Sequence, residues 1–182
     1  MKVLIINGSP RPKGNTALAL AEVARQLEKN GIESEIVWIG NKPVRGCIAC
    51  GKCYEKPGAC VFNDDICNEI SAKYAEADAL IVGSPVYYGQ PNGALLSIIQ
   101  RSFHSNGANI AGKPAAAVAV CRRGGSTAAF QRTSSSDAGP GELGWSGNRI
   151  AYFAEIWYFC SYGTKRSNQG AAFCAQVHGQ AD

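Results

Sequence analysis

The chain is expected to fold as a doubly wound parallel α/β sheet with helices on both faces, a three-layer αβα arrangement. Three observations predict it. Short apolar runs rich in β-branched residues recur through residue 121. Segments with helical periodicity lie between them. Glycine-rich loops follow the first, third and fourth runs, where one edge of such a sheet would place them.

Residues 2–6 (Lys-Val-Leu-Ile-Ile) are almost wholly apolar and read as a strand buried on both faces. Residues 7–14 form a Gly/Ser/Pro loop. Ala17, Leu18, Leu20, Ala21, Val23, Ala24 and Leu27 then recur at helical spacing until Asn30-Gly31 ends the helix. Residues 33–39 read as a second strand and 40–65 as a loop crowded with cysteine. A helix is expected over 64–75, a third strand over 79–83, a loop over 84–93, a helix over 94–103 and a fourth strand over 114–121. Residues 1–130 thus form one αβ domain. Past Gln131 the pattern changes: Leu143, Ile150, Ile156 and Val177 are the only Leu, Ile or Val before the end. Residues 131–182 read as an atypical continuation of the same domain, with a fifth strand expected somewhere in 149–160.

Composition narrows the function classes. The chain has 182 residues, 46% of them hydrophobic, and a net charge of +4, which suits one domain with a sizeable core. Its Lys and Arg are scattered rather than striped, so no nucleic-acid partner is expected. Val3-Leu4-Ile5-Ile6 is too short for the apolar core of a signal peptide, and no apolar run approaches the ~18–20 residues of a membrane helix. A cytoplasmic protein is expected. In that compartment eight cysteines argue for metal or redox chemistry rather than disulfides.

The loop Asn7-Gly8-Ser9-Pro10-Arg11-Pro12-Lys13-Gly14-Asn15-Thr16 joins the first strand to the first helix. Ligands of open α/β sheets bind at the carboxyl ends of strands. The helix N-terminus offers free N–H groups and a positive dipole end there. Ser9, Asn15 and Thr16 can add donors to a phosphate and Arg11 a charge; Gly14 lets the chain turn. Five residues separate Gly8 from Gly14, so the loop is not a Walker A motif. The plainer alternative is a strand-to-helix turn capped by Asn15 or Thr16.

Cys47, Cys50, Cys53 and Cys60 form CxxCxxC followed by six residues and Cys. Three thiolates in one tight loop can grip a cubane, with a fourth arriving from further on. Zinc more often takes two separated CxxC pairs. Loop-lining thiols or a redox pair complete the alternatives, and a further function they allow is a cysteine-based metal-binding or redox-sensing module. Cys67, on a helix face, and Cys121, Cys160 and Cys174 read as structural; His104 and His178 sit in no ligand pattern and read as satisfied or solvated.

These motifs resemble those of the flavodoxin-like NAD(P)H-dependent FMN reductases and iron–sulfur flavoproteins. The likeness runs from Gly8-Ser9-Pro10-Arg11 and Gly14-Asn15-Thr16 through Cys47–Cys53 and Gly83-Ser84-Pro85-Val86-Tyr87-Tyr88-Gly89 to Cys121-Arg122-Arg123-Gly124-Gly125-Ser126. It implies that residues 8–16 hold the FMN phosphate and that Pro85, Val86, Tyr87, Tyr88 and Gly89 contact the ribityl chain and ring. Gly124 and Gly125 would meet the pyrimidine edge. Arg122 and Arg123 would stabilise reduced flavin or bind a nicotinamide dinucleotide phosphate; solvated surface arginines are the alternative. It implies hydride transfer from NAD(P)H to flavin N5 with no side-chain acid or base, and electrons passed to a quinone, flavin, dye, metal ion or redox protein. For the cysteines it is divided between a [4Fe-4S] cluster at Cys47, Cys50, Cys53 and Cys60 and an FMN-only protein. Relatives often carry Asp-Arg where this chain has Gln100-Arg101, so a local ion pair is expected to be weakened. A homodimer is expected as well, because relatives place the flavin near a subunit interface. Light scattering of the FMN-loaded protein checks this; a monomer at working concentration contradicts it.

Overall fold

The structure is a computed structural model that describes residues 1–134 and 156–159. In chain order its elements are β1 (Lys2–Asn7), α1 (Asn15–Lys29), β2 (Glu33–Trp38), α2 (Lys52–Glu55), α3 (Cys67–Glu76), β3 (Ala79–Tyr87), β4 (Gln90–Pro91), α4 (Gly93–Ile110), β5 (Ala115–Cys121), α5 (Ser126–Ser134) and β6 (Ile156–Phe159). The strand order is β2-β1-β3-β5-β6, with every pairing on that path parallel and β4 attached antiparallel to β3. This is a doubly wound, flavodoxin-like sheet. Its order reverses between β1 and β3, which makes their carboxyl ends the topological switch point.

Alternation along the strands sorts the core into two faces. Leu4 and Ile6 of β1, Leu80 and Val82 of β3, and Ala117 and Ala119 of β5 pack with Ile70, Tyr74, Leu95 and Ile98 of α3 and α4. Val3, Ile5, Val118 and Val120 pack on the other face with Leu20 of α1. The near-continuous apolar strands seen in the sequence are therefore strands covered on both sides.

Several boundaries differ from expectation for tertiary reasons. Residues 84–93 are not simply a loop: β3 runs on to Tyr87 and turns back, pairing Val86 with Pro91 and Tyr87 with Gln90. The cysteine loop contains the single turn α2. The helix expected from residue 64 starts at Cys67, because Asp65 accepts a bond from the Cys67 N–H instead of entering the helix. Helix α4 continues to Ile110 across a kink at Asn106. The fifth parallel strand, expected within 149–160, is β6, in register from Val118↔Ile156 to Cys121↔Phe159. Helix α5 carries past Gln131 to Ser134. The remainder of the atypical continuation, with Cys160, Cys174 and His178, lies outside the described residues.

One glycine governs how closely α1 approaches. A Cβ at Gly83 would stand 2.6 Å from Leu20 Cδ1 and 2.8 Å from its Cγ, and Leu20 is fully buried. Gly83→Ala is expected to cost about 1–3 kcal/mol by overpacking. Urea unfolding of Gly83→Ala, Leu20→Ala and the double variant checks this. The costs should fall short of additivity, because removing Leu20 makes the space; full additivity would contradict the contact.

Candidate functional site

The first loop of the site is built from the end of β1. The Gly8 N–H donates to Gly83 O at 2.7 Å, so the loop leaves the sheet directly beside β3. Ser9 is buried: its N–H donates to Asn7 Oδ1 at 3.1 Å, and its Oγ accepts from Arg11 N–H at 3.1 Å. Helix α1 begins after Gly14, whose backbone is extended, and no side chain caps it. The turn capped by Asn15 or Thr16 is therefore not what forms. The first turn of α1 thus receives no side-chain cap, and Thr16 within it is buried, an arrangement open to an anion. Arg11 and Asn15 are exposed at its rim.

The second and third loops meet beside it. Tyr88 (φ 51°) and Gly89 (φ 75°) form the left-handed pair of the tight β3–β4 hairpin. Both Tyr87 and Tyr88 are exposed, Tyr88 completely. The loop after β5 packs against this turn so closely that a Cβ on Gly125 would lie 2.8 Å from Gly89 Cα. Val86, Tyr87, Tyr88, Gly89, Arg122, Arg123 and Gly124 line one cleft of about 370 Å3, large enough for a ring-sized ligand. The structure thus brings Val86 through Gly89 and Arg122 through Gly125 together, with Pro85 just inside on β3.

Two residues that tie these loops together were not expected. Asn92 donates through Nδ2 to Gly8 O at 2.8 Å, accepts from Ala94 N–H at 2.9 Å as the cap of α4, and donates its own N–H to Ser84 Oγ at 2.9 Å. Its place just before a helical run was the available signal. Trp38, at the end of β2, donates its indole N–H to Ser9 O at 2.7 Å; nothing in the sequence marked it.

The cysteine loop is fastened to α4 by Arg101. Its guanidinium is wholly buried and pairs with the nearly buried Asp65. It also donates to Phe62 O at 3.0 Å, to Arg45 O at 3.2 Å and to Cys60 Sγ at 3.4 Å. Desolvation opposes the charge, but the bonds to Asp65 and Cys60 outweigh it and hold its pKa above the ordinary arginine value. Gln100 supplies no carboxylate to Arg101, whose ion pair is made instead with Asp65 on the facing loop. Asn68 holds the backbone of Cys60 from both sides, accepting from its N–H at 2.8 Å and donating to its carbonyl at 2.9 Å.

Cys47, Cys50, Cys53 and Cys60 border one small pocket together with His104, whose ring nitrogen Nε2 lies 3.1 Å from the Tyr54 hydroxyl. Among the described residues no three His, Cys, Asp or Glu side chains stand in ion-holding geometry. Cys67 stands apart. It is fully buried under α4, its thiol near Ile98 O and Ser102 Oγ, and burial pushes its pKa up, the opposite of what a thiolate ligand needs.

Fold and site together define a flavin-dependent oxidoreductase with the flavodoxin architecture. The chain belongs to the NADPH-dependent FMN reductase family, whose model matches residues 1–136. An iron–sulfur flavoprotein of Methanocaldococcus jannaschii is 40% identical over 135 residues, covering 72% of this chain and 69% of that one. One of Methanosarcina thermophila is 35% identical over 135 residues, covering 72% and 70%. Among solved structures, an NAD(P)H:quinone oxidoreductase from Methanothermobacter marburgensis superposes with a TM-score of 0.62 at 12% identity, covering 97% of this chain and 92% of that one. An archaeal flavodoxin superposes at 0.52 with 14% identity, covering 97% and 93%. Those two share the fold.

Replacing Ser9 and Thr16 together by Ala is expected to weaken FMN binding by roughly 1–3 kcal/mol, as lost phosphate hydrogen bonds do. Fluorescence titration with FMN measures it; unchanged affinity would remove the phosphate from this loop.

Proposed function

We propose that the protein is an FMN-dependent oxidoreductase of the iron–sulfur flavoprotein type. The cleft between the β3–β4 hairpin and the loop after β5 would hold the flavin that accepts electrons from NAD(P)H, and Cys47, Cys50, Cys53 and Cys60 would hold a [4Fe-4S] cluster. The observation that carries this reading is the single pocket bordered by all four thiols. The naming of the curated relatives as iron–sulfur flavoproteins supports it.

When bound, FMN supplies two-electron chemistry at its N5 and a cluster supplies one-electron chemistry. The chain's own residues bind and orient. The first-turn N–H groups of α1, with Ser9, Asn15 and Thr16, hold the phosphate, and Arg11 adds charge at the rim. Tyr87 and Tyr88 give aromatic surface to the ring, and Gly89 and Gly125 let the two backbones close on it. Arg122 and Arg123 offset the negative charge of the reduced ring and meet the dinucleotide phosphates. No side-chain acid or base is required.

A second reading has its own support. The cleft is open and both tyrosines are exposed, so a quinone, free flavin, dye or metal ion can be reduced there directly, without iron. A homodimer fits either reading. Among the described residues, no helix is long and apolar enough to cross a membrane.

Anaerobic reconstitution of Cys→Ser variants, with iron and sulfide counted, separates the readings. Wild-type protein is expected to show flavin bands plus broad absorption near ~400 nm. Cys60→Ser should lose the four-iron product, since a cubane rarely survives loss of a thiolate, whereas Cys67→Ser should keep it. Flavin bands with no iron uptake would leave the direct reductase; loss at Cys67 instead of Cys60 would show the fourth ligand to be misassigned.

A further inference from the structure

Arg101 is a buried guanidinium with four acceptors, and all four belong to the segment between Arg45 and Asp65. A planar fork of this kind fixes geometry as well as charge. Isolated, it would be costly in a core; here Asp65 neutralises it and the two carbonyls occupy further donors. The remaining contact, Nε to Cys60 Sγ at 3.4 Å, is the one that touches redox chemistry. Cys60 is also the cysteine whose backbone is held, by Asn68 on both its N–H and its carbonyl. Cys47 and Cys50 are exposed, and for Cys47 the bond to its thiol is a local one from Ala49 N–H. Cys53, half-buried like Cys60, sits on α2, but Cys60 is the thiol that a buried side chain from another element holds in place.

We infer that Arg101 is a positioning residue for the metal site: it sets Cys60 as the pre-placed thiolate ligand, and its N–H donated to that sulfur raises the reduction potential of whatever cluster the sulfur holds. The inference rests on the cluster reading above. The physical reason is that a hydrogen bond to a ligating sulfur favours the more electron-rich state, one of the means by which proteins tune such potentials. Asp65 acts in the opposite sense. Its carboxylate cancels part of the guanidinium charge, so its removal leaves a net positive group against Cys60.

The geometry also relates the two halves of the site. Asn92 caps α4 and grips the phosphate loop at Gly8 O; Arg101 grips the cysteine loop nine residues later on the same helix, about 13 Å along its axis. One helix thus carries an anchor for each loop.

The test uses the full chain, loaded with FMN and reconstituted anaerobically with iron and sulfide. It compares wild type with Arg101→Lys, which keeps the charge but loses the fork, and Asp65→Asn. Iron and sulfide are counted, FMN affinity is titrated, and cluster and flavin midpoints are followed separately by electron paramagnetic resonance and visible absorption. The expected result is a cluster midpoint in Arg101→Lys lowered by the equivalent of a tenfold change in its oxidised-to-reduced ratio, about 59 mV for one electron. The flavin midpoint and FMN affinity should stay unchanged. In Asp65→Asn the cluster midpoint should rise. Full iron with an unshifted midpoint in Arg101→Lys overturns the inference, as does a shift of the same sign in both variants or an equal shift at the flavin. Should Arg101→Lys lose iron while keeping FMN, Asp65→Asn decides, and a midpoint that fails to rise there is fatal. Wild-type protein that takes up no iron overturns the cluster reading itself, a result distinct from loaded wild type with silent variants.

Discussion

The structure depends on close approach at the carboxyl ends of β1 and β3. Gly8 and Gly83 stand side by side there, joined by the bond from Gly8 N–H to Gly83 O. A Cβ at Gly83 would enter Leu20 of α1, and a Cβ at Gly8 would lie 2.7 Å from Leu95 Cδ2 of α4. Leu20 and Leu95 belong to opposite faces of the sheet. Two missing side chains therefore let a helix close down on each face at the same point. That point is the switch in strand order, where a crevice opens, so the tight packing that stabilises the domain also shapes its ligand site.

Helix α4 carries that constraint outward. Its first residues are capped by Asn92, which simultaneously holds Gly8 O and Ser84. Its middle presents Arg101 to the cysteine loop. The Arg101–Asp65 pair is weak evidence for stability, since desolvation offsets much of the attraction in a buried pair. Its contribution is specificity: it selects one course for residues 45–65, a segment with little apolar side chain to bury and one four-residue helical turn. Arg45 adds a second tie between the limb bearing Cys47 and the segment after Cys60, pairing with Asp64 and stacking on the Phe62 ring.

Much of this was legible in the sequence for a simple reason. The order of elements follows from local periodicity, and the three loops at the carboxyl ends of β1, β3 and β5 are written in glycine, proline and short polar residues whose backbone roles are local. Strands β1, β2 and β5 and helix α1 fall close to their expected limits. The loop after β1 leaves the sheet beside β3, and residues 86–89 and 122–124 meet in one cleft. The misreadings are non-local. The β3–β4 hairpin looks like a loop because two paired residues leave no periodic trace. Trp38 and Asn92 act through partners 29 and 84 residues away.

By itself the sequence determined the layered αβ architecture, the positions of its glycine-rich turns and the identity of the chemically competent side chains, because each of these depends on residues adjacent in the chain. Only the tertiary structure decided which of them meet. It put Gly125 against Gly89, gathered Cys47, Cys50, Cys53 and Cys60 around one pocket while burying Cys67 beneath α4, and gave Arg101 a carboxylate 36 residues away. Those outcomes rest on desolvation and on contacts between segments brought together by the crossovers of the sheet, and no local pattern encodes them.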